Sequence, residues 1–151
     1  RAARHAVQPF GRQLPVSVDE LPEIIARQWD SNLWHKHSER CFSCGTCNLV
    51  CPTCYCFDVR DDLQLEDPSG GVRERHWDGC MLPDFAEVAG GHNFRGEATA
   101  RQRHRVKRKF EYLTKRFGLG SFCVGCGRCG HQCTAGIDIY DIVKDLAEAG
   151  A

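Results

Sequence analysis

Cys41-Phe42-Ser43-Cys44-Gly45-Thr46-Cys47-Asn48-Leu49-Val50-Cys51-Pro52 and Cys123-Val124-Gly125-Cys126-Gly127-Arg128-Cys129-Gly130-His131-Gln132-Cys133 share one spacing, C-x2-C-x2-C-x3-C. It is the spacing that holds [4Fe–4S] clusters. On a continuous helix Cys41 and Cys47 would stand about 9 Å apart along the axis. Three thiolates at this spacing therefore converge only if the segment coils into a loop. Gly45, Gly125 and Gly127 permit the coiling, because they carry no Cβ penalty at positive φ and let backbone amides approach the sulfurs. Two electron-carrying [4Fe–4S] clusters are the expected cofactors.

In paired runs the fourth cysteine lies past its own loop and points at the neighbouring cluster. Crossed ligation assigns Cys41, Cys44, Cys47 and Cys133 to the first cluster, and Cys51, Cys123, Cys126 and Cys129 to the second. Zinc is the bland alternative, but zinc modules join a C-x2-C pair to a distant second pair, so a third cysteine at the same step is surplus. Covalent haem needs C-x-x-C-H, and here Gly130 separates Cys129 from His131.

With 151 residues, 42% of them hydrophobic, the chain can form one modest core and leaves little room for a separate substrate domain. Eleven cysteines would suit a secreted disulfide scaffold, yet the number is odd and the cysteines sit in metal-type runs, so a reducing cytoplasm is expected. No apolar stretch is long enough to span a bilayer. The balance of 20 basic against 20 acidic residues counts every thiol as neutral. Loaded with two clusters, the protein should be about four charges more negative. The chain opens on Arg1 and not on Met, as expected of a piece of something longer.

Residues 1–18 read as an extended N-terminal arm that could lie on another subunit, and residues 19–151 as the dicluster [4Fe–4S] ferredoxin-like domain. Ser17-Val18-Asp19-Glu20 has the form of a capping box and predicts a helix over 19–29, followed by a short one over 31–40. Trp29 and Trp34 are expected to pack in the core or shield a cluster. Tyr55, Phe57 and Val59 alternate with polar residues, and Val72 to Trp77 returns as a second strand, so an acidic hairpin is inserted between the runs. A short helix over 81–88 and a long one over 97–117 follow, the latter with Val106, Phe110, Leu113 and Phe117 on one stripe and Gly118 as its stop. The last helix spans 137–149 with Ile139, Ile142, Val143 and Leu146 turned inward. The expected fold is mainly α: an α-helical ferredoxin-type dicluster domain with an inserted β-hairpin.

Five stretches carry a resemblance to a known family: Cys44 to Val59, Trp77-Asp78-Gly79-Cys80, Gly90-Gly91-His92-Asn93-Phe94-Arg95, Arg103-His104-Arg105-Val106 and Cys123 to Cys129. Over residues 20–148 the chain resembles the dicluster iron–sulfur subunits of cytoplasmic NiFe hydrogenases, the beta subunit of sulfhydrogenase-type enzymes, and the dicluster subunit of anaerobic sulfite reductase. The resemblance implies an electron-transfer subunit that works between a flavin-bearing NAD(P)H module and a catalytic subunit, with no catalysis by this chain alone. The second run ends Cys133-Thr134 where related runs often have Cys-Pro. A heterodisulfide-reductase-type iron–sulfur subunit, which also has helical paired runs, is the alternative in the same class.

Cys54, Cys56 and Cys80 are left over. As residues of one strand face and the end of the next strand, they could form a third metal site with His76 or His92, although simple packing is the favoured reading. Residues 101–109, Arg-Gln-Arg-His-Arg-Val-Lys-Arg-Lys, could counter cluster charge, dock an acidic partner or bind nucleic acid as a metal-stabilised module. The last reading is the weakest, because no recognition module accompanies the run. No phosphate loop or acid–base constellation is present.

Overall fold

The computed structural model describes residues 11–67 and 70–150. Its elements in chain order are α1 (Leu21–Arg27), α2 (Leu33–Ser38), α3 (Thr46–Leu49), β1 (Phe57–Leu63), β2 (Gly71–Trp77), α4 (Ala98–Lys107), α5 (Leu113–Phe117), α6 (Arg128–His131) and α7 (Ile139–Gly150). A 3₁₀ turn at Pro83–Ala86 stands where the sequence predicts a helix over 81–88. Pro83 opens that turn, and the chain is extended again at Glu87. Helix accounts for 41% and strand for 12% of the described residues, so the mainly α expectation fits in part. The fold is a small ferredoxin-like domain of helices with one antiparallel hairpin.

The apolar stripe of α7 assembles the core. Ile139, Ile142, Val143 and Leu146 are all buried there, against Leu21 and Ile25 of α1, Trp34 of α2, and Val106 and Phe110 of the long helix. Trp34 is 1% exposed, and its indole N–H donates to the Gln28 carbonyl at 2.6 Å, so its polar end is satisfied inside. Trp29 takes the other course: it stays half exposed with the Arg103 guanidinium stacked 4.3 Å from its ring. Only half of the capping box forms. Glu20 accepts from the Ser17 backbone N–H at 2.8 Å, while Ser17 makes no side-chain cap.

The expected long helix is continuous in outline but contains a π-helical turn, Arg108–Tyr112, between α4 and α5. A π-turn adds a residue and rotates the later part of the helix relative to the stripe before it. Val106, Phe110 and Leu113 stay inward, whereas Phe117 is 57% exposed and does not belong to the core stripe. The same turn positions the Lys109 carbonyl to accept from the Phe122 amide at 2.9 Å, which ties the helix to the residue before Cys123. Gly118 ends α5 in the left-handed conformation, φ 61°.

β1 and β2 pair in register from Phe57↔Trp77 to Leu63↔Gly71. Both faces of the hairpin are largely exposed, so it has no core of its own. The N-terminal segment folds back on the domain where it is described: Arg12 pairs with Asp138 and Asp141 at 2.8 and 2.6 Å, and the Tyr140 hydroxyl donates to the Gln13 carbonyl at 2.8 Å. The first ten residues of the predicted arm lie outside the described residues. Among the described residues no helix is long and apolar enough to cross a membrane.

Candidate metal centres

Each cysteine run folds as a loop that ends in one helical turn. Gly45 precedes α3 with φ 73° and ψ −7°, and Gly127 precedes α6 with φ 71° and ψ −5°. The loops also turn left-handed at Ser43 (φ 54°) and Gly125 (φ 65°), two residues after the first cysteine of each. One backbone path therefore serves both runs, and α3 and α6 pack against each other. That contact brings the end of each run to the start of the other.

Cys41, Cys44, Cys47 and Cys133 line one pocket that opens to solvent, with Met81 as an apolar wall. Burial pushes the Cys47 thiol up to about 11, although the Arg105 charge opposes it, and Cys129, Cys41 and Cys133 are close enough to raise it further. Thr46 hydrogen-bonds Cys44 at 3.3 Å and lowers its pKa. In the second loop Cys129 is buried and Cys126 exposed. Burial raises Cys123, whose charged neighbours include Cys129, Lys109 and Cys51. Burial also acts on Cys51, but hydrogen bonds from Thr53 and Lys109 outweigh it and bring this thiol down to about 7. The Lys109 ammonium lies 3.3 Å from Cys51 Sγ. Cys133 thus lines the same pocket as the first three cysteines, and Cys51 and Cys129 are charge neighbours of Cys123.

The donor set fits polynuclear clusters. Among the described residues no group of three or more His, Cys, Asp or Glu side chains converges tightly enough to hold a single metal ion. The first run's thiols surround a volume instead of a point, and [4Fe–4S] ligation needs that arrangement.

The basic run supplies the second part of the fit. Arg101, Arg105, Lys107 and Lys109 are all buried, each no more than 5% exposed. Lys107 is satisfied by the Ile25 carbonyl at 2.9 Å and Glu111 at 2.6 Å, and Arg101 by the Arg95 and Gly96 carbonyls and Ser43 Oγ. Nε lacks a hydrogen-bond partner in both Arg101 and Arg105, but Arg105 has none of the other partners that hold Arg101, and among the described residues no carboxylate pairs with it. Burial opposes its charge, while Cys47, Cys129, Cys80 and Cys54 favour it. A buried guanidinium without a carboxylate costs several kcal/mol unless an anion stands nearby, and a thiolate-ligated cluster is such an anion. Residues 101–109 therefore do not form a solvent-facing basic stripe. Their outer members are engaged too, Arg103 on Trp29 and Arg108 over the Tyr55 ring while donating to its hydroxyl.

Asn48 is a site residue that the sequence does not reveal. Its Nδ2 lies 3.6 Å from Cys54 Sγ and 3.5 Å from Cys80 Sγ, and its Oδ1 accepts from the Met81 amide at 3.0 Å. Nothing in the local sequence distinguishes Asn48 from an ordinary helix residue, because its partners lie up to 33 positions away. The histidines that could have joined these thiols are engaged elsewhere: His76 faces Glu74 at 3.2 Å and His92 stacks edge-on against Phe94 at 4.6 Å.

Comparison with known proteins accords with this geometry. The model of the 4Fe-4S dicluster domain family matches residues 40–137. The chain is 38% identical over 133 residues to sulfhydrogenase 2 subunit beta of Pyrococcus furiosus, a match that covers 88% of this chain and 38% of that protein. No solved structure matches the chain. Two interleaved cysteine loops, thiols from both around a common cavity and a family match across both runs make this chain a member of the 4Fe-4S dicluster domain family, with two [4Fe–4S] clusters as its cofactors.

Proposed function

We propose that this chain is the iron–sulfur electron-transfer part of a sulfhydrogenase-like complex, relaying electrons between a flavin/NAD(P)H module and a catalytic subunit of NiFe hydrogenase or related type. The observation that carries the reading is the cavity shared by Cys41, Cys44, Cys47 and Cys133, since it joins the two runs into one continuous cofactor-bearing unit. The likeness to the sulfhydrogenase beta subunit supplies the class of complex. In this reading Cys41, Cys44, Cys47 and Cys133 hold one cluster, Cys51, Cys123, Cys126 and Cys129 hold the other, and the arrangement is the α-helical ferredoxin type. When bound, each cluster takes up and releases one electron at a time.

The chain's own residues set the conditions. Cys47 and Cys129 sit at the core side, which keeps water from that end of the thiolate cage, and the Arg105 charge lies between them and the hairpin base. Cys44 and Cys126 stand at the exposed loop tips, where a partner's redox group can approach closely. Two carriers placed between two partners make a relay without substrate chemistry, so the isolated chain should neither oxidise NAD(P)H, evolve hydrogen nor reduce sulfite. The test uses the complex purified anaerobically. Cys44→Ala and Cys126→Ala should each abolish electron passage between partners and leave each partner's half-reaction with an artificial dye largely intact. Full turnover surviving both substitutions would refute the relay.

A further inference from the structure

Beyond the two cysteine loops, three thiols meet at the base of the hairpin. Cys54, Cys56 and Cys80 line a single pocket that opens to solvent, together with Asn48, Arg105 and Lys109. The hairpin explains the meeting: β1 and β2 begin and end at the pair Phe57↔Trp77, and the Asp78 amide donates to the Cys56 carbonyl at 3.3 Å, so the chain after β2 returns beside the chain before β1. The hairpin buries almost nothing itself. Its structural effect is to bring Cys80 back to Cys54 and Cys56.

Packing alone does not account for the walls of this cavity. Buried free cysteines that act as small hydrophobes sit among apolar neighbours, whereas here two buried cations and an amide face the sulfurs. Asn48 directs its Nδ2 at both Cys54 and Cys80, at 3.6 and 3.5 Å. N–H groups directed at cysteine sulfur help hold the negative charge of iron–sulfur centres. Arg105, 3% exposed and with an unpartnered Nε, faces Cys54 and Cys80 on one side and Cys47 and Cys129 on the other. Lys109, 5% exposed, donates to Cys51 Sγ and Thr53 Oγ1 at 3.3 and 3.0 Å and has no carboxylate partner among the described residues. The two cations thus stand between the cysteine loops and the hairpin pocket.

A single zinc ion is the simplest metal for three thiols, but this pocket adjoins a cysteine run of [4Fe–4S] spacing and shares Arg105 and Lys109 with it. Cys56 and Cys80 lie close enough to hydrogen-bond each other, and Cys54 completes the thiol lining. We infer that Cys54, Cys56 and Cys80 ligate a third [4Fe–4S] cluster, whose remaining iron takes a ligand from outside these three cysteines. The site lies next to Cys51 and so adjoins the second cluster of the proposed relay. This inference adds a centre to that reading and stands or falls separately from it.

Iron and acid-labile sulfide counts on the anaerobically reconstituted chain test it, read alongside EPR of the reduced protein. Wild-type protein should contain about twelve iron and twelve sulfide, four of each per cluster. The triple variant Cys54→Ser/Cys56→Ser/Cys80→Ser should fall to about eight of each, a loss of one third, and keep the signals removed by Cys44→Ala and Cys126→Ala. A wild-type count of about eight overturns the third centre and leaves the two-cluster reading intact. About eight iron plus one zinc that is lost in the triple variant also overturns it, in favour of a mononuclear site. Because the wild-type count decides alone, a variant that fails to fold does not rescue the inference.

Discussion

The two cysteine loops follow one backbone path and differ in what presses on them. A Cβ placed on Gly45 would meet Leu82 at 2.9 Å, whereas one on Gly127 would have nothing within 4 Å. Met81 and Leu82 arrive through the segment after the hairpin and bury Gly45 of the first loop, although Phe42 and Cys44 stay exposed; the second has no such cover, and every residue from Val124 to Arg128 lies open. Where the first loop carries Asn48, clamped between Cys54, Cys80 and the Met81 amide, the second carries Gly130, where a Cβ would strike the Asp138 carboxylate at 2.7 Å. A shared ligand spacing thus fixes the loop geometry, and the inserted segment decides which loop is enclosed. In the proposed complex the open second loop is the better candidate for direct contact with a partner.

The largest effects should come from the ligands that cross between the loops. Cys51→Ala is expected to remove the same EPR signal as Cys126→Ala, with loss of about four iron, although Cys51 is in the first run. If it instead removed the signal lost in Cys44→Ala, each loop would hold its own cluster and the comparison would be between independent sites.

The glycines test enclosure directly. Gly127→Ala adds only left-handed strain, about 1 kcal/mol. Gly45→Ala adds the same strain plus the contact with Leu82 and should cost about 2–3 kcal/mol. Anaerobic urea unfolding gives both values, and adding Leu82→Ala to Gly45→Ala should narrow the gap to Gly127→Ala. Equal costs for the two glycine variants would mean that Leu82 does not press on the first loop.

Lys109 tests the electrostatic side of the difference, since its ammonium touches Cys51 and no cysteine of the first cavity. Lys109→Met removes a positive charge from beside the second cluster and makes its reduction harder. Its midpoint potential should fall by tens of millivolts, on the scale of about 59 mV per tenfold change for one electron, with a smaller change at the first. A redox titration followed by EPR separates the two.

The smallest effects belong to Ser43 and Gly125, which occupy equivalent left-handed positions. Ser43→Gly relieves strain but removes the acceptor that Arg101 Nη2 meets at 2.7 Å, so the net change should stay within about 1 kcal/mol. Gly125→Ser has no such partner to gain and should destabilise by about 1 kcal/mol. A Gly125→Ser variant more stable than wild type would show that the second loop can adopt another path.

Much of this chain is determined within short windows. Ligand spacing, glycine positions and the two-residue period of the hairpin are consequences of local chain geometry, so the eight ligand candidates, β1, β2 and the inward stripe of α7 are legible from the sequence. Helix continuity is less legible: a π-turn cannot be seen in the apolar spacing, and it moves Phe117 out of a stripe that its position alone places in the core. The tertiary structure alone decided where charge goes. The sequence leaves residues 101–109 open between countering cluster charge, docking an acidic partner and binding nucleic acid, because cations rarely turn inward, whereas in the fold Arg105 and Lys109 are buried beside thiols, Lys109 against Cys51, which stands 58 positions earlier in the chain. Only the fold could bring those sulfurs, Asn48 and the hairpin base together, because burying a cation depends on the sign of charge across the cavity and not on its neighbours in the chain.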